Sequence, residues 1–387
     1  MRRQGWAERT RDIQAFHVMS VLARAKTLQA QGRDVIHMEI GEPDFATPAP
    51  IIRAGQAALD NGHTGYTPAL GLPALREAIA ASYAHRYGVQ VDPGRVVVTP
   101  GGSAALLLIA SLLVDPGQSV VMADPSYPCN RNFLRLLGAN AKMIPTGPQS
   151  AYQLTPELIE QHWDDSCSAV LAASPANPTG TLLSKPQLRG MADTVRRLGG
   201  HLVVDEIYHG LTYDCEASSV LEVAPDAFVL NSFSKYYGMT GWRLGWLIAP
   251  EAAIPELEKL AQNLYICAPH MAQWAALAAF EEETQAICEE RRKAFQARRD
   301  FLLPALRDLG FGIPTTPQGA FYLYADISRH SADSSALCRR LLESEYLAIT
   351  PGLDFGDYRQ HEHVRFAYTA SLDRLGQAVE RLERGLR

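Results

Sequence analysis

Between about residues 95 and 250 the chain alternates short apolar runs with longer stretches whose apolar residues recur at helical spacing. The runs are Val96–Thr99, Ser119–Met122, Ala141–Ile144, Ser168–Ala172, His201–Val204, Ala227–Leu230 and Trp246–Ile248. Several carry no polar alternation, which is how strands covered on both faces read. Helices are predicted over 104–113, 130–137, 155–161 and 184–198, with Thr155 as an N-cap ahead of Pro156. Regular alternation of strand and helix predicts an α/β fold with a mainly parallel seven-stranded sheet sandwiched by helices.

The flanks read differently. A helix over 13–31, with Phe16, Met19, Val21, Leu22 and Leu28 on its apolar face, stops at Gly32. A strand over 34–40 and helices over 49–61 and 74–87 follow. Beyond 250 the pattern predicts helices over 255–265 and 271–288, the second running on to Leu306. Strands over 319–324 and 363–368 and helices over 334–343 and 372–386 complete the chain.

Composition adds mainly exclusions. The chain has 387 residues, 47% hydrophobic and 20% charged, enough for a large core. A formal net charge of −6 gives no basic surface for nucleic acid or an anionic membrane. The longest apolar run, Ala104–Val114, falls short of the roughly 18 residues a bilayer requires. The polar, basic N-terminus has no apolar core of a secretory signal. The 6 cysteines are scattered without metal-ligand spacing, so no metal is expected and the thiols suit a reducing cytoplasm.

Candidate chemistry gathers just after the strands, where open α/β sheets place their ligands. The chain has few lysines: Lys26, Lys142, Lys185, Lys235, Lys259 and Lys293. Only Lys235 follows an apolar β-type run and lies among serines and glycines, a setting in which a lysine loses its proton and becomes a nucleophile. Gly101-Gly102-Ser103 between a strand and a helix offers free N–H groups and a positive dipole end, suited to a phosphate; alone it is equally a turn. Asp205 closes a buried strand and needs a cationic partner; alone it is more often a helix N-cap. Arg365 lies on the strand predicted over 363–368; its planar fork could meet a carboxylate, and alone it is equally a surface arginine on an edge strand. Gly41, Tyr66, Tyr127 and Asn177 sit in turns, and each taken singly is equally a turn residue.

Together these positions form a resemblance. Ser232-Phe233-Ser234-Lys235, then Gly241-Trp242-Arg243-Leu244-Gly245, resembles the lysine segment of fold-type I pyridoxal-phosphate (PLP) enzymes, class I/II aminotransferases of the aspartate aminotransferase superfamily in particular. Asn177-Pro178-Thr-Gly180, Asp205-Glu-Ile-Tyr208 and Pro351-Gly-x-x-Phe-Gly356 match in order, so the likeness spans about residues 13–387. It implies that Lys235 holds PLP as a Schiff base and shuttles the proton. It implies a phosphate site from Gly102, Ser103, Ala104, Ser232, Ser234 and Arg243, with Tyr66 reaching the neighbouring subunit's phosphate in a homodimer. Tyr127 would stack on the ring, Asp205 pair with its nitrogen, and Asn177 and Tyr208 donate to its phenolic oxygen. Gly41, Asn177 and Arg365 would meet the substrate carboxylate.

The implied organisation is an N-terminal arm and part of a small domain (1–45), a large PLP-binding domain (46–285) and a small C-terminal domain (286–387). The small domain would be α+β and drawn from both chain termini. The implied reaction is ping-pong amino transfer from an L-amino acid to a 2-oxo acid, 2-oxoglutarate first among acceptors. Within the fold, a C–S β-lyase or another PLP reaction stays open. A ligand-sensing regulator would need a helix-turn-helix segment, for which the residues before the first helix leave no room. Dicarboxylate specialists of one related branch carry a lysine after the Gly-Gly, where this chain has Ser103. Phe16, Tyr66, Pro269 and His270 are candidates for the side-chain pocket, and they favour a neutral or aromatic donor.

Overall fold

The computed structural model describes residues 5–7, 9–13 and 15–387. Its strands are β1 (Ile36–His37), β2 (Val96–Thr99), β3 (Ser119–Asp124), β4 (Asn140–Pro145), β5 (Cys167–Ala173), β6 (His201–Asp205), β7 (Phe228–Ser232), β8 (Gly245–Ile248), β9 (Tyr322–Asp326), β10 (Leu347–Ala348), β11 (Thr350–Pro351) and β12 (His363–Ala367). The large sheet has 7 strands in the order β2-β8-β7-β6-β5-β3-β4. All its pairings are parallel except those that β8 makes with β2 and β7.

Most of the buried residues in β2 and β5–β8 are Val, Leu, Ile, Ala and Phe, because helices cover both faces. On one face, Val120, Met122, Leu171, Val203, Leu230 and Leu247 pack against the apolar helix Gly102–Leu113 and the helix Ile254–Leu264. On the other, Val121, Val170 and Val204 join a larger core that continues through Phe295, Phe321 and Phe366 into the second layer. Thr155 caps its helix as read, accepting from the Leu158 N–H at 3.3 Å.

The second unit is built from both ends of the chain. β1, from the N-terminal segment, pairs in parallel with β10 near the C-terminus. An antiparallel sheet β11-β12-β9 lies beside this pair. Among the described residues no helix is long and apolar enough to cross a membrane.

Three predicted elements differ. The strand over 34–40 shrinks to β1, since the chain leaves the pairing and Ile40, Gly41 and Glu42 line the central cavity. The single helix over 271–306 is two, His270–Leu277 and Glu282–Asp308. The break falls at Glu281, which is extended at ψ 148°. It places Glu282 and Glu283 in a new first turn, where the helix dipole favours acids. The strand over 319–324 begins later, at Tyr322, because Ala320 adopts a left-handed φ of 59° and gives its N–H to Leu211 O.

Candidate active site

The carboxyl ends of β2, β3, β5, β6 and β7 open on one cavity of about 460 Å³. β8 runs the other way, so its beginning lies on this edge and delivers Arg243 there. Lining the cavity are Gly41, Gly102, Ser103, Tyr127, Asn177, Asp205, Tyr208, Ser232, Ser234, Lys235, Arg243 and Arg365. Ala104 is the next residue of the helix and does not line it. Tyr66, 81% exposed, lies outside. Phe16 lines the cavity; Pro269 and His270 do not. His270 instead bonds Gly65 O and the Trp274 indole in a surface cluster.

At the β2 end, Gly101 turns at φ 81° into the helix that starts at Gly102. A Cβ on Gly101 would meet an Arg243 guanidinium nitrogen at 2.6 Å. A Cβ on Gly245 would meet Gly101 C and Gly102 N at 2.9 Å, so the start of β8 lies directly against the turn. Arg243 is held at a left-handed φ of 52°, which costs a non-glycine residue on the order of 1 kcal/mol. Ser232 and Ser234 hydroxyls, 2.9 Å apart, complete this corner. Free N–H groups, two hydroxyls and a guanidinium make an anion cradle that fits a phosphate.

Lys235 lies deeper. Burial, with the Arg365 and Arg243 cations nearby, brings its amine down to about 8. Nζ donates to Gly41 O at 2.6 Å. Across the cavity, burial pushes the Asp205 carboxyl up to about 7, against the Ile207 N–H donated to Oδ1 at 3.0 Å. No cation of the chain forms an ion pair with Asp205 among the described residues, so a ligand N–H⁺ fits it. Such a partner would return the group to its ionised form.

Arg365 reaches the cavity from β12. It donates to Asn177 Oδ1 at 2.9 Å and to Glu39 O at 2.5 Å, and its Nε has no protein partner among the described residues. A buried guanidinium with an unmet N–H suits a carboxylate. The Asn177–Pro178 bond is cis. Tyr208 meets the hydroxyl of Tyr322 at 2.8 Å. Tyr322 and Thr240 line the cavity without having been singled out by their sequence pattern, and Ile207 and Phe355, which lie within quoted motifs, line it without having been given a role. For Tyr322 the signal was present but ambiguous, since Phe321, Tyr322 and Tyr324 share one apolar run. Behind the site, Glu206 is fully buried, held by Ser219 Oγ and the Val220 N–H, and burial pushes it up to about 8.

Known proteins resemble this chain in sequence and fold along nearly its whole length. A family model described as "Aminotransferase class I and II" matches residues 33–382. A valine–pyruvate aminotransferase of Mycobacterium tuberculosis is 39% identical over 372 residues, 96% of each chain. An aspartate/prephenate aminotransferase of Thermus thermophilus is 34% identical over 386 residues, 99% of each chain. A crystal structure of an aminotransferase from Mycobacterium tuberculosis superposes with a TM-score of 0.95 at 38% identity, covering 99% of both chains.

Proposed function

The chain belongs to the class I and II aminotransferases, and on that footing we propose that it uses PLP to move an amino group from an L-amino acid to a 2-oxo acid by a ping-pong sequence. The observation that carries this reading is the convergence of four unmet demands on one cavity: an anion cradle, an amine whose hold on its proton is weakened by burial, an unpaired carboxylate and an incompletely bonded guanidinium. PLP presents a complementary phosphate, aldehyde and ring nitrogen. When bound, it supplies an electron sink for the pair released as the substrate Cα–H bond breaks.

The chain's own residues have the following roles. The N–H groups at Gly102, Ser103 and Ala104, the hydroxyls of Ser232 and Ser234, and Arg243 hold the phosphate. Asp205 holds the proton on the ring nitrogen. Tyr127 packs beside the ring, while Asn177 and Tyr208 address its phenolic oxygen. Arg365, with Asn177 and the backbone at Gly41, fixes the substrate carboxylate. Lys235, whose amine burial brings down to about 8, gives up its own proton far more readily than a free lysine; as the amine it takes the Cα proton and returns it on the other side of the transfer. Tyr66, exposed and outside the cavity, serves the phosphate of a second subunit in a homodimer. The enzyme works in the cytoplasm.

The donor is a neutral or aromatic amino acid. Phe16, Val18, Met19, Ile40, Leu106 and Phe355 give the cavity an apolar wall. Among the described residues its lining cations are Lys235, Arg243 and Arg365, each already assigned. 2-Oxoglutarate is the acceptor to be tried first. Adding single amino donors to the PLP-loaded protein without acceptor should bleach its visible band and release one 2-oxo acid per site. Pyruvate and ammonia formed catalytically, with no acceptor present, would instead establish a β-eliminating enzyme.

Ser103 is the position that tests the side-chain preference. It is exposed and lines the cavity, and its hydroxyl has no hydrogen-bond partner among the described residues. Ser103→Lys adds a cation there and should raise kcat/KM for aspartate about tenfold, the scale of one charge-assisted hydrogen bond, while lowering it for an apolar donor. Unchanged ratios in steady-state assays would place the distal side chain elsewhere.

A further inference from the structure

Tyr322 touches three parts of the site at once. Its hydroxyl lies 2.8 Å from that of Tyr208. Its ring lies under Arg365, whose guanidinium carbon is 4.3 Å from the ring centroid. Its hydroxyl also fills the space beside Gly41, where a Cβ would come within 2.0 Å of it. Gly41 in turn accepts from Lys235 Nζ at 2.6 Å. The side chain is 1% exposed, with Phe321 at 4.9 Å and Tyr208 at 5.7 Å between ring centroids, so the phenol has nowhere to swing.

Hydrogen counting gives this contact a direction. Each phenol carries one hydrogen, and among the described residues each hydroxyl has only the other as partner. One of the two must donate and the other keep its hydrogen for something else. Tyr322 is packed between Gly41 and Tyr208, whereas Tyr208 sits at the end of β6 beside Asp205, where the ligand ring is placed. The arrangement that leaves no hydrogen stranded has Tyr322 donating to Tyr208 Oη and Tyr208 donating to the ligand.

We propose that Tyr322 is a positioning residue of this site: its hydroxyl turns and strengthens the Tyr208 donor, and its ring seats the Arg365 fork. This rests on the PLP reading above. Chained hydrogen bonds polarise one another, so a donor into Tyr208 makes Tyr208 the better donor to the phenolic oxygen of PLP. An oxygen that receives a stronger hydrogen bond is a weaker base, and the proton shared with it leaves at lower pH. The planar ring meanwhile fixes the plane of the guanidinium by cation–π contact. One side chain therefore sets both the cofactor's proton affinity and the orientation of the carboxylate site.

Tyr322→Phe removes the hydroxyl and keeps the ring. In the PLP-loaded protein, the pH midpoint of the visible absorbance change should rise by about half to one unit, the scale of one hydrogen bond. The KM for the amino donor should stay within about twofold of wild type. Tyr322→Leu loses the ring as well, and its KM should rise about tenfold beyond that of Tyr322→Phe. In a Tyr208→Phe background, Tyr322→Phe should no longer move the midpoint, because the hydrogen-bond chain has lost its first member.

An unmoved midpoint in Tyr322→Phe, or a shift that simply adds to that of Tyr208→Phe, overturns the hydroxyl's role. Equal KM values in Tyr322→Phe and Tyr322→Leu overturn the ring's. A wild-type protein that forms no visible band with PLP overturns the cofactor reading itself, an outcome distinct from both.

Discussion

Replacing Lys235 by alanine is expected to lower transamination by about a hundred- to ten-thousandfold, the usual contribution of a positioned acid–base group. Lys235→Arg should be no better. A guanidinium keeps the charge but does not deprotonate at working pH. The arginine variant thus separates a cation that merely holds an anion from an amine that must take a proton. Rate assays with a saturating neutral donor decide the matter, and wild-type turnover in Lys235→Ala would remove Lys235 from the chemistry.

The same lysine makes a second, non-kinetic statement. Burial and two neighbouring arginines bring its amine down to about 8 from an ordinary 10.5. Attack on an aldehyde needs the neutral amine. The rate at which cofactor-free protein takes up PLP should therefore climb with pH and level off above about 8, rather than climbing on toward the range of a free lysine. Stopped-flow absorbance at several pH values reads this directly.

Asp205→Asn carries the other large effect. The amide cannot hold a ring nitrogen in its protonated form, so kcat should fall by about 10²–10³, the cost of removing one preorganised charge. In the cofactor-free protein the sign on stability reverses. The Asp205 carboxyl is raised from 3.8 to about 7 by burial. Between those values the folded chain binds more protons than the unfolded chain, so this group's contribution falls as pH rises from about 4 to 7 and stays lost above. An uncharged amide in place of the acid carries no such loss. The variant should melt about 2–4 °C above wild type at pH 8 and level with it near pH 4, without PLP in either case. Glu206 is also raised, first by burial and in part by the Asp205 charge, so the amide relieves it as well and adds to the variant's advantage at pH 8. A variant no more stable than wild type at pH 8 would show that Asp205 has a partner in the free protein.

Much of this site was legible before folding, for local reasons. Strands buried on both faces leave uninterrupted apolar runs, and the residues after them fall at one sheet edge. That placed Tyr127, Asn177, Asp205 and Lys235 around one centre. Gly101 and the helix after it announced an anion site through turn chemistry and free N–H groups. Each of these signals sits within a few residues of its own element, so the sequence carries it whole.

Other features depend on contacts between distant segments. The orientation of β8 comes from its pairing with β2 and β7, and only that orientation brings Arg243 to the cradle. The break at Glu281 has no glycine or proline to announce it, because acids suit the new helix start as well as a continuous helix surface. Pro269 and His270, aromatic or apolar by type, fell outside the cavity, while Phe16 fell inside it.

The sequence by itself determined the elements, their layering and the kinds of chemistry available, because periodicity and turn preference are properties of neighbouring residues. Only the tertiary structure decided which partners meet. The Lys235 amine and Gly41 O are 194 residues apart, Arg365 and Asn177 are 188 apart, and the Tyr208 and Tyr322 hydroxyls are 114 apart. No local pattern encodes such pairings. They follow from closing the core, which brings both chain ends over the sheet edge and sets each polar group against the one partner within reach.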